Sequence, residues 1–309
     1  MSGLFQREFF GVGVAFGIGC VAIAVIAQRA GRREESDDPV RIGAVIIVVV
    51  TVLALAAEDL VPARLPLALG ALLAAGVLAQ LTRLPTLTGA VLALPGAWMI
   101  ATETSVVDVA WIRIAVVVVA VLGGACLASF EGNRRARSIG LLLLPLTAAG
   151  MYFTVPDTER AAVFFGVAAP FLCVGWLLRS GPSLGAAGSW ALAALVAWIT
   201  ATGGSGRESS IVGGIACLGL FAVEPLSRLV ARSRMGVLDV APKDWRRVWA
   251  PAPAFTAHLA LVYIASRVAG LRHEVASAVA IVAVEAAVGV IVGGRLIVRR
   301  RISESRGSY

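Results

Sequence analysis

Charged residues are scarce in this chain. Asp, Glu, Lys and Arg make up 15% of 309 residues, against about 25% in soluble domains. Nucleic-acid binding is excluded, because no basic cluster sits on a soluble fold with interleaved aromatics, and the net charge of +8 has to be read by position. Cysteine is equally sparse. Cys20, Cys126, Cys173 and Cys217 each fall inside an apolar run and form no CxxC pair, so neither a disulfide framework nor a zinc site is expected. No P-loop, HExxH, GxSxG or dinucleotide fingerprint occurs in a usable context. Gly11, Gly13, Gly17 and Gly19 are spaced for helix packing and not for cradling phosphate. No cofactor and no metal are expected.

What is abundant is apolar sequence: 59% of residues are hydrophobic and the mean hydropathy is +0.88. A bilayer core of about 30 Å takes roughly 20 apolar residues per helix. The pattern predicts spans near 9–28, 40–57, 65–82, 86–102, 108–130, 137–154, 159–178, 184–203, 209–227, 252–270 and 275–298. The fourth is the shortest and contains Pro95-Gly96. Breakers fall between spans: Pro62, Pro66, Pro85, Pro156, Pro182 and the Gly203–Gly206 segment. Val48 to Val50 and Val116 to Val119 are β-prone in water. In lipid, open sheets leave backbone groups unpaired, and the period-2 alternation of a barrel is lacking. The expected fold class is therefore all-α, a polytopic transmembrane bundle of about eleven spans forming a single domain over 1–309.

Basic residues orient such a bundle by remaining in the cytoplasm. With the N-terminus outside and the C-terminus inside, 20 of the 27 Lys and Arg fall on cytoplasmic segments. Six fall outside, namely Arg7, Arg64, Arg160, Arg207, Arg267 and Arg272, and Arg113 falls within a span. The first span is expected to be retained and not cleaved as a signal, because Arg7 and Glu8 cancel before it while Arg29, Arg32 and Arg33 follow it. Nine acids, including Glu58, Asp59, Glu103, Asp108, Glu159 and Glu208, line the outer face. The expected location is the plasma membrane.

Substructure is legible in two places. At an offset of 100 residues, Leu92-Ala93, Ala97-Trp98, Ala101-Thr102 and Ser105 recur as Leu192-Ala193, Ala197-Trp198, Ala201-Thr202 and Ser205. This suggests a three-span leader over 1–84, followed by four-span repeats over 85–183 and 184–300, as in transporters built from repeats. The cytoplasmic loop 228–251 contains a candidate interfacial helix, in which Trp245, Val248 and Trp249 share a face near Arg246 and Arg247. The bilayer is one expected partner. A membrane-protein partner docking on this loop or on the basic C-terminal tail is another.

Candidate functional residues follow from depth and charge. Glu285 lies about ten residues into the last span, roughly 15 Å deep at about 1.5 Å per residue. Ala278, Gly289 and Gly293 share its face, so it is expected to face protein, either as a proton or cation relay or as a structural bond between helices. Arg113 is its candidate partner, and His258 is a further intramembrane polar group. Glu58, Asp59, Asp108 and Glu208 are the outer-face acidic candidates. Adjacent acids such as Glu58-Asp59 in an early external loop resemble membrane glycosyltransferases that use lipid-linked sugars, where a carboxylate serves as general base or metal ligand. That resemblance covers two residues.

The weight of Ala, Val and Arg, and segments such as Tyr152 to Arg160 and Gly213 to Pro225, resemble multi-pass membrane proteins of high-GC actinobacteria for which no activity is known. The resemblance implies a helical membrane fold and brings no functional residues. Three functional readings follow from the residues themselves. The first is a transporter-like or flippase-like bundle moving a small or amphiphilic solute. The second is a non-catalytic subunit scaffolding an envelope-assembly complex. The third, an enzyme acting on lipid-linked substrates, is the least favoured.

Overall fold

A computed structural model describes residues 2–31, 43–82, 86–103, 110–131, 148, 159–177, 185 and 187–203. Among these residues every regular element is helical. In chain order they are α1 (Ser2–Gly31), α2 (Gly43–Ala57), α3 (Leu65–Leu81), α4 (Thr86–Glu103), α5 (Ala110–Val118), a π turn (Val119–Gly123), α6 (Gly124–Glu131), α7 (Glu159–Leu177) and α8 (Ser189–Gly203). The all-α expectation is met for these residues, including the β-branched runs of α2 and α5. Pro66 sits at the first turn of α3, where its missing N–H removes no helical bond. Pro95 lies inside α4, which nevertheless runs unbroken for 18 residues.

Helix directions follow from a few contacts. Arg160, in the first turn of α7, donates to the Leu60 carbonyl just beyond α2 and lies over Trp198 near the end of α8. Arg64, before α3, meets Glu103 at the end of α4. These residues define one end of the bundle. At the other end Gly188, before α8, abuts Ala44 and Val45 at the start of α2. There too Gly76, late in α3, abuts Ala187, and Trp190 of α8 abuts Gly89 of α4 and Gly124 of α6. Gly13 and Gly17 of α1 meet Val163, Gly166 and Val167 of α7 in rising order, so those two helices are parallel. Thus α1, α3, α5–α6 and α7 start at the Glu58 end, while α2, α4 and α8 start at the opposite end.

α8 is the hub. It is buried at every residue from Ser189 to Ala201 and packs against α2, α3, α4, α5, the π turn, α6 and α7. A helix apolar all round is buried away from water, and here Trp190, Leu192, Leu195, Trp198 and Ile199 are covered by protein on every side. The outer helices are turned the other way. Ile18, Ile23, Ile26, Leu53, Leu67, Leu81, Val91, Trp98, Ile114 and Leu122 are each more than half exposed.

Among the described residues no helix is long and apolar enough to cross a membrane. α2 and α8 have 15 residues each and α3 has 17, or about 22–26 Å at 1.5 Å per residue. The expected spans 209–227, 252–270 and 275–298, and all of 137–154 but Ala148, lie outside the described residues.

Candidate charged site at one end of the bundle

The site begins with how α2 stops. After Ala57, the Asp59 amide donates to the Ala56 carbonyl at 3.2 Å and the Leu60 amide reaches back to the Leu55 carbonyl at 2.9 Å. Asp59 has φ 55°. These crossed bonds and the left-handed residue form a Schellman cap. Glycine usually occupies that position, and aspartate is among the few other residues that tolerate it. Pro62 follows closely and prevents the helix from resuming. Glu58 is half-buried and Asp59 exposed, so the cap presents two adjacent carboxylates at the end of the bundle.

Arg160 is clasped against this cap. Its Nε donates to the Leu60 carbonyl at 3.2 Å, and its guanidinium carbon lies 5.1 Å from the ring centre of Trp198. Trp198 is 1% exposed, which gives the cation a fixed aromatic platform. By contrast, the hydroxyls of Thr82, Thr102, Ser189, Thr200 and Thr202 each donate to a carbonyl three or four residues back. Arg160 therefore links three pieces: the first turn of α7, the α2–α3 connection and the far part of α8.

Among the described residues no acid forms an ion pair with Arg160. Glu159 is adjacent in sequence and acts on it through space. Glu58 and Asp59 precede the carbonyl that it binds. Glu103 is occupied by Arg64, with Nε and Oε1 3.8 Å apart; the Glu103 side chain is 16% exposed and that of Arg64 79%. A pair so long and half in solvent contributes little stability. The Nη groups of Arg160 thus have no bound partner among the described residues, although the side chain itself is held in place.

Of the residues singled out from sequence, the structure brings Glu58 and Asp59 into this site. Arg113 lies near the same end, half-buried, in the first turn of α5. Glu285, His258, Asp108 and Glu208 lie outside the described residues, as do the 228–251 loop and the C-terminal tail. The two copies of the 100-residue repeat fall on α4 and α8, which run in the same direction. Ala93, Ala97 and Ala101 are buried, as are Ala193, Ala197 and Ala201, but Trp98 is 58% exposed and Trp198 1%. Sequence reading did not single out Arg160 or Trp198 as site residues. Arg160 is set apart by a bond to a backbone carbonyl 100 residues away and by its place over the Trp198 ring, and a carbonyl partner leaves no side-chain signature.

Chemically, the site offers a guanidinium held at two points, with Glu159 acting on it through space and Glu58 and Asp59 on the cap whose connection it binds. A guanidinium fork matches carboxylate or phosphate oxygens, and the carboxylates match a cation. Comparison with protein-family models and with curated proteins gives no match to this chain.

Proposed function

We propose that the chain is an integral membrane protein of eleven helical spans, with its N-terminus outside and its C-terminus in the cytoplasm, and with transporter-like or flippase-like activity on a small or amphiphilic solute. The observation that carries this reading is the inside-out distribution of apolar residues. The hub helix α8 is sealed by its neighbours, while large aliphatic side chains such as Ile26, Leu67 and Leu81, at 66%, 67% and 77% exposure, point away from the bundle. Water disfavours so many exposed aliphatic groups, and soluble monomers rarely gather them. Lipid accepts them without cost.

Three further features support the orientation. The described helices alternate in direction as the span order requires. Glu131 and Glu159 end and begin helices at opposite ends of the bundle, which calls for a crossing where span 137–154 is read, and Ala148 within it is fully buried in the core. Trp98 stands exposed five residues before the end of α4, the depth at which aromatic side chains favour headgroups. The short α8 needs no match to bilayer thickness, because its neighbours and not lipid surround it. α2 is as short, and a helix below the bilayer thickness is accommodated by local thinning at modest cost.

Glu285 is the coupling residue in this reading. The test is reconstitution into sealed liposomes, following both solute uptake and the exchange of labelled lipids between leaflets. Wild-type protein is expected to accelerate one of them, and Glu285→Gln to reduce that rate at least tenfold while leaving expression and assembly unchanged. Wild-type protein that accelerates neither process, or a Glu285→Gln variant with full activity, overturns the assignment.

A further inference from the structure

We propose that the outer face formed by α3 and α4 meets a bilayer thinned around it, so that this side of the molecule fits lipids of short acyl chain. The proposal rests on the membrane reading above and adds where the bilayer is deformed. α3 and α4 pack side by side and antiparallel: Gly89 abuts Ala79, and farther along Gly96 abuts Leu72 and Ala68. Together they turn Leu67, Val77, Leu78, Val91, Leu94 and Trp98 outward. Polar residues bound this face at both ends. On α3 they are the exposed Arg64, just before the helix, and the exposed Gln80. These lie about 24 Å apart at 1.5 Å per residue. On α4 they are the exposed Thr88 and Glu103, whose carboxylate meets Arg64. These lie about 22 Å apart.

Two neighbouring helices thus give nearly the same apolar height, and both fall short of a bilayer core of about 30 Å. Any tilt shortens it further. α1 differs: its exposed face runs from Glu8 through Ile18 and Ile23 to Ile26, about 27 Å, with no polar side chain exposed between. The shortfall therefore belongs to the α3–α4 side. Arg64 could reach outward through a few ångströms of hydrocarbon on its long stem. Gln80 and Thr88 are too short for that, and an amide or hydroxyl drawn into lipid loses its water. The bilayer is the softer of the two partners, since it thins at little cost per ångström of mismatch. A thinned strip also shortens the path of a polar headgroup through hydrocarbon, which in the flippase reading makes this face the crossing route.

The test uses full-length protein reconstituted into dimyristoleoyl-, dioleoyl- and dierucoylphosphatidylcholine, in order of lengthening chains. Its melting temperature is expected to be highest in the shortest lipid and lower by about 5 °C or more in the longest. The double variant Gln80→Leu/Thr88→Leu changes only exposed side chains and extends the apolar face at one end by about one helical turn. It is expected to move the maximum to the dioleoyl lipid. A wild-type maximum in either longer lipid, or one that the double variant leaves unmoved, overturns the proposal. Depth is then measured directly, with single nitroxide-labelled cysteines replacing Leu67, Ala74 or Leu81, all exposed on α3. Accessibility to oxygen against a water-soluble nickel chelate is expected to put Leu67 and Leu81 at headgroup level in both dioleoyl and dierucoyl bilayers, with Ala74 deep between them. Labels at Leu67 and Leu81 as deep as Ala74 overturn the thinning and leave the membrane reading standing. All three labels open to the chelate in every lipid sink the membrane reading, and the thinning with it.

Discussion

At Asp59 a residue that sequence reading marks for chemistry also bears a local backbone burden. Its φ of 55° places an L side chain in the left-handed region, which costs roughly 1–2 kcal/mol, less for Asp than for most residues. Asp59→Gly removes that cost and keeps the crossed cap bonds. We expect it to raise stability by about 0.5–1 kcal/mol in thermal or denaturant unfolding in detergent. Asp59→Val should lower stability by at least about 1 kcal/mol, because a β-branched side chain resists this conformation. A glycine variant no more stable than wild type would show that other contacts offset the strain. The acids of this site were legible in sequence because charge is rare in so apolar a chain. Arg160 was counted only as one more outer-face base, since what sets it apart is a carbonyl and a ring brought to it by the fold.

At the scale of elements, most helix limits follow the apolar runs and their breakers. The apolar run read at 65–82 is helical over Leu65–Leu81, and that at 159–178 over Glu159–Leu177. The helix expected from 184 begins instead at Ser189, after Gly185 at φ 78° and the tight passage of Gly188 beside Ala44. The π turn at Val119–Gly123 had no sequence signal, because an extra residue in a helical turn changes no composition. Spacing alone also treats the glycines of α1 alike, whereas the structure divides them. A Cβ on Gly13 would collide with the Val163 carbonyl, and one on Gly17 would lie 2.7 Å from the Val167 carbonyl; Gly11 and Gly19 have open space. Backbone cannot retreat as a flexible side chain can. Gly13→Ala is therefore expected to cost about 1–3 kcal/mol through overpacking of α1 against α7. Gly11→Ala and Gly19→Ala should each gain up to about 1 kcal/mol from helix propensity. Melting temperatures of the three single variants check the division; equal shifts for all three would mean that α1 and α7 do not meet at Gly13.

At the scale of the whole molecule, the claim to test is that the two ends of the bundle face different compartments. α3 connects them directly. Ala63 precedes it in the exposed turn at the Glu58 end, and the exposed Thr82 follows it at the other. The 17 residues of the helix separate these positions by about 25 Å at 1.5 Å per residue, close to the apolar thickness of a bilayer, about 30 Å. In a background with the native cysteines replaced, Ala63→Cys should react with a membrane-impermeant maleimide added to intact cells. Thr82→Cys should react only after the membrane is permeabilised. Neither substitution alters a buried side chain, so both proteins should fold and the comparison is internal to one helix. The reverse pattern would invert the bundle and place the Glu58 end in the cytoplasm. Equal labelling of both positions in intact cells would mean that no bilayer lies between the two ends. The exposed aliphatic faces of α1, α3 and α4 would then have to be covered by protein.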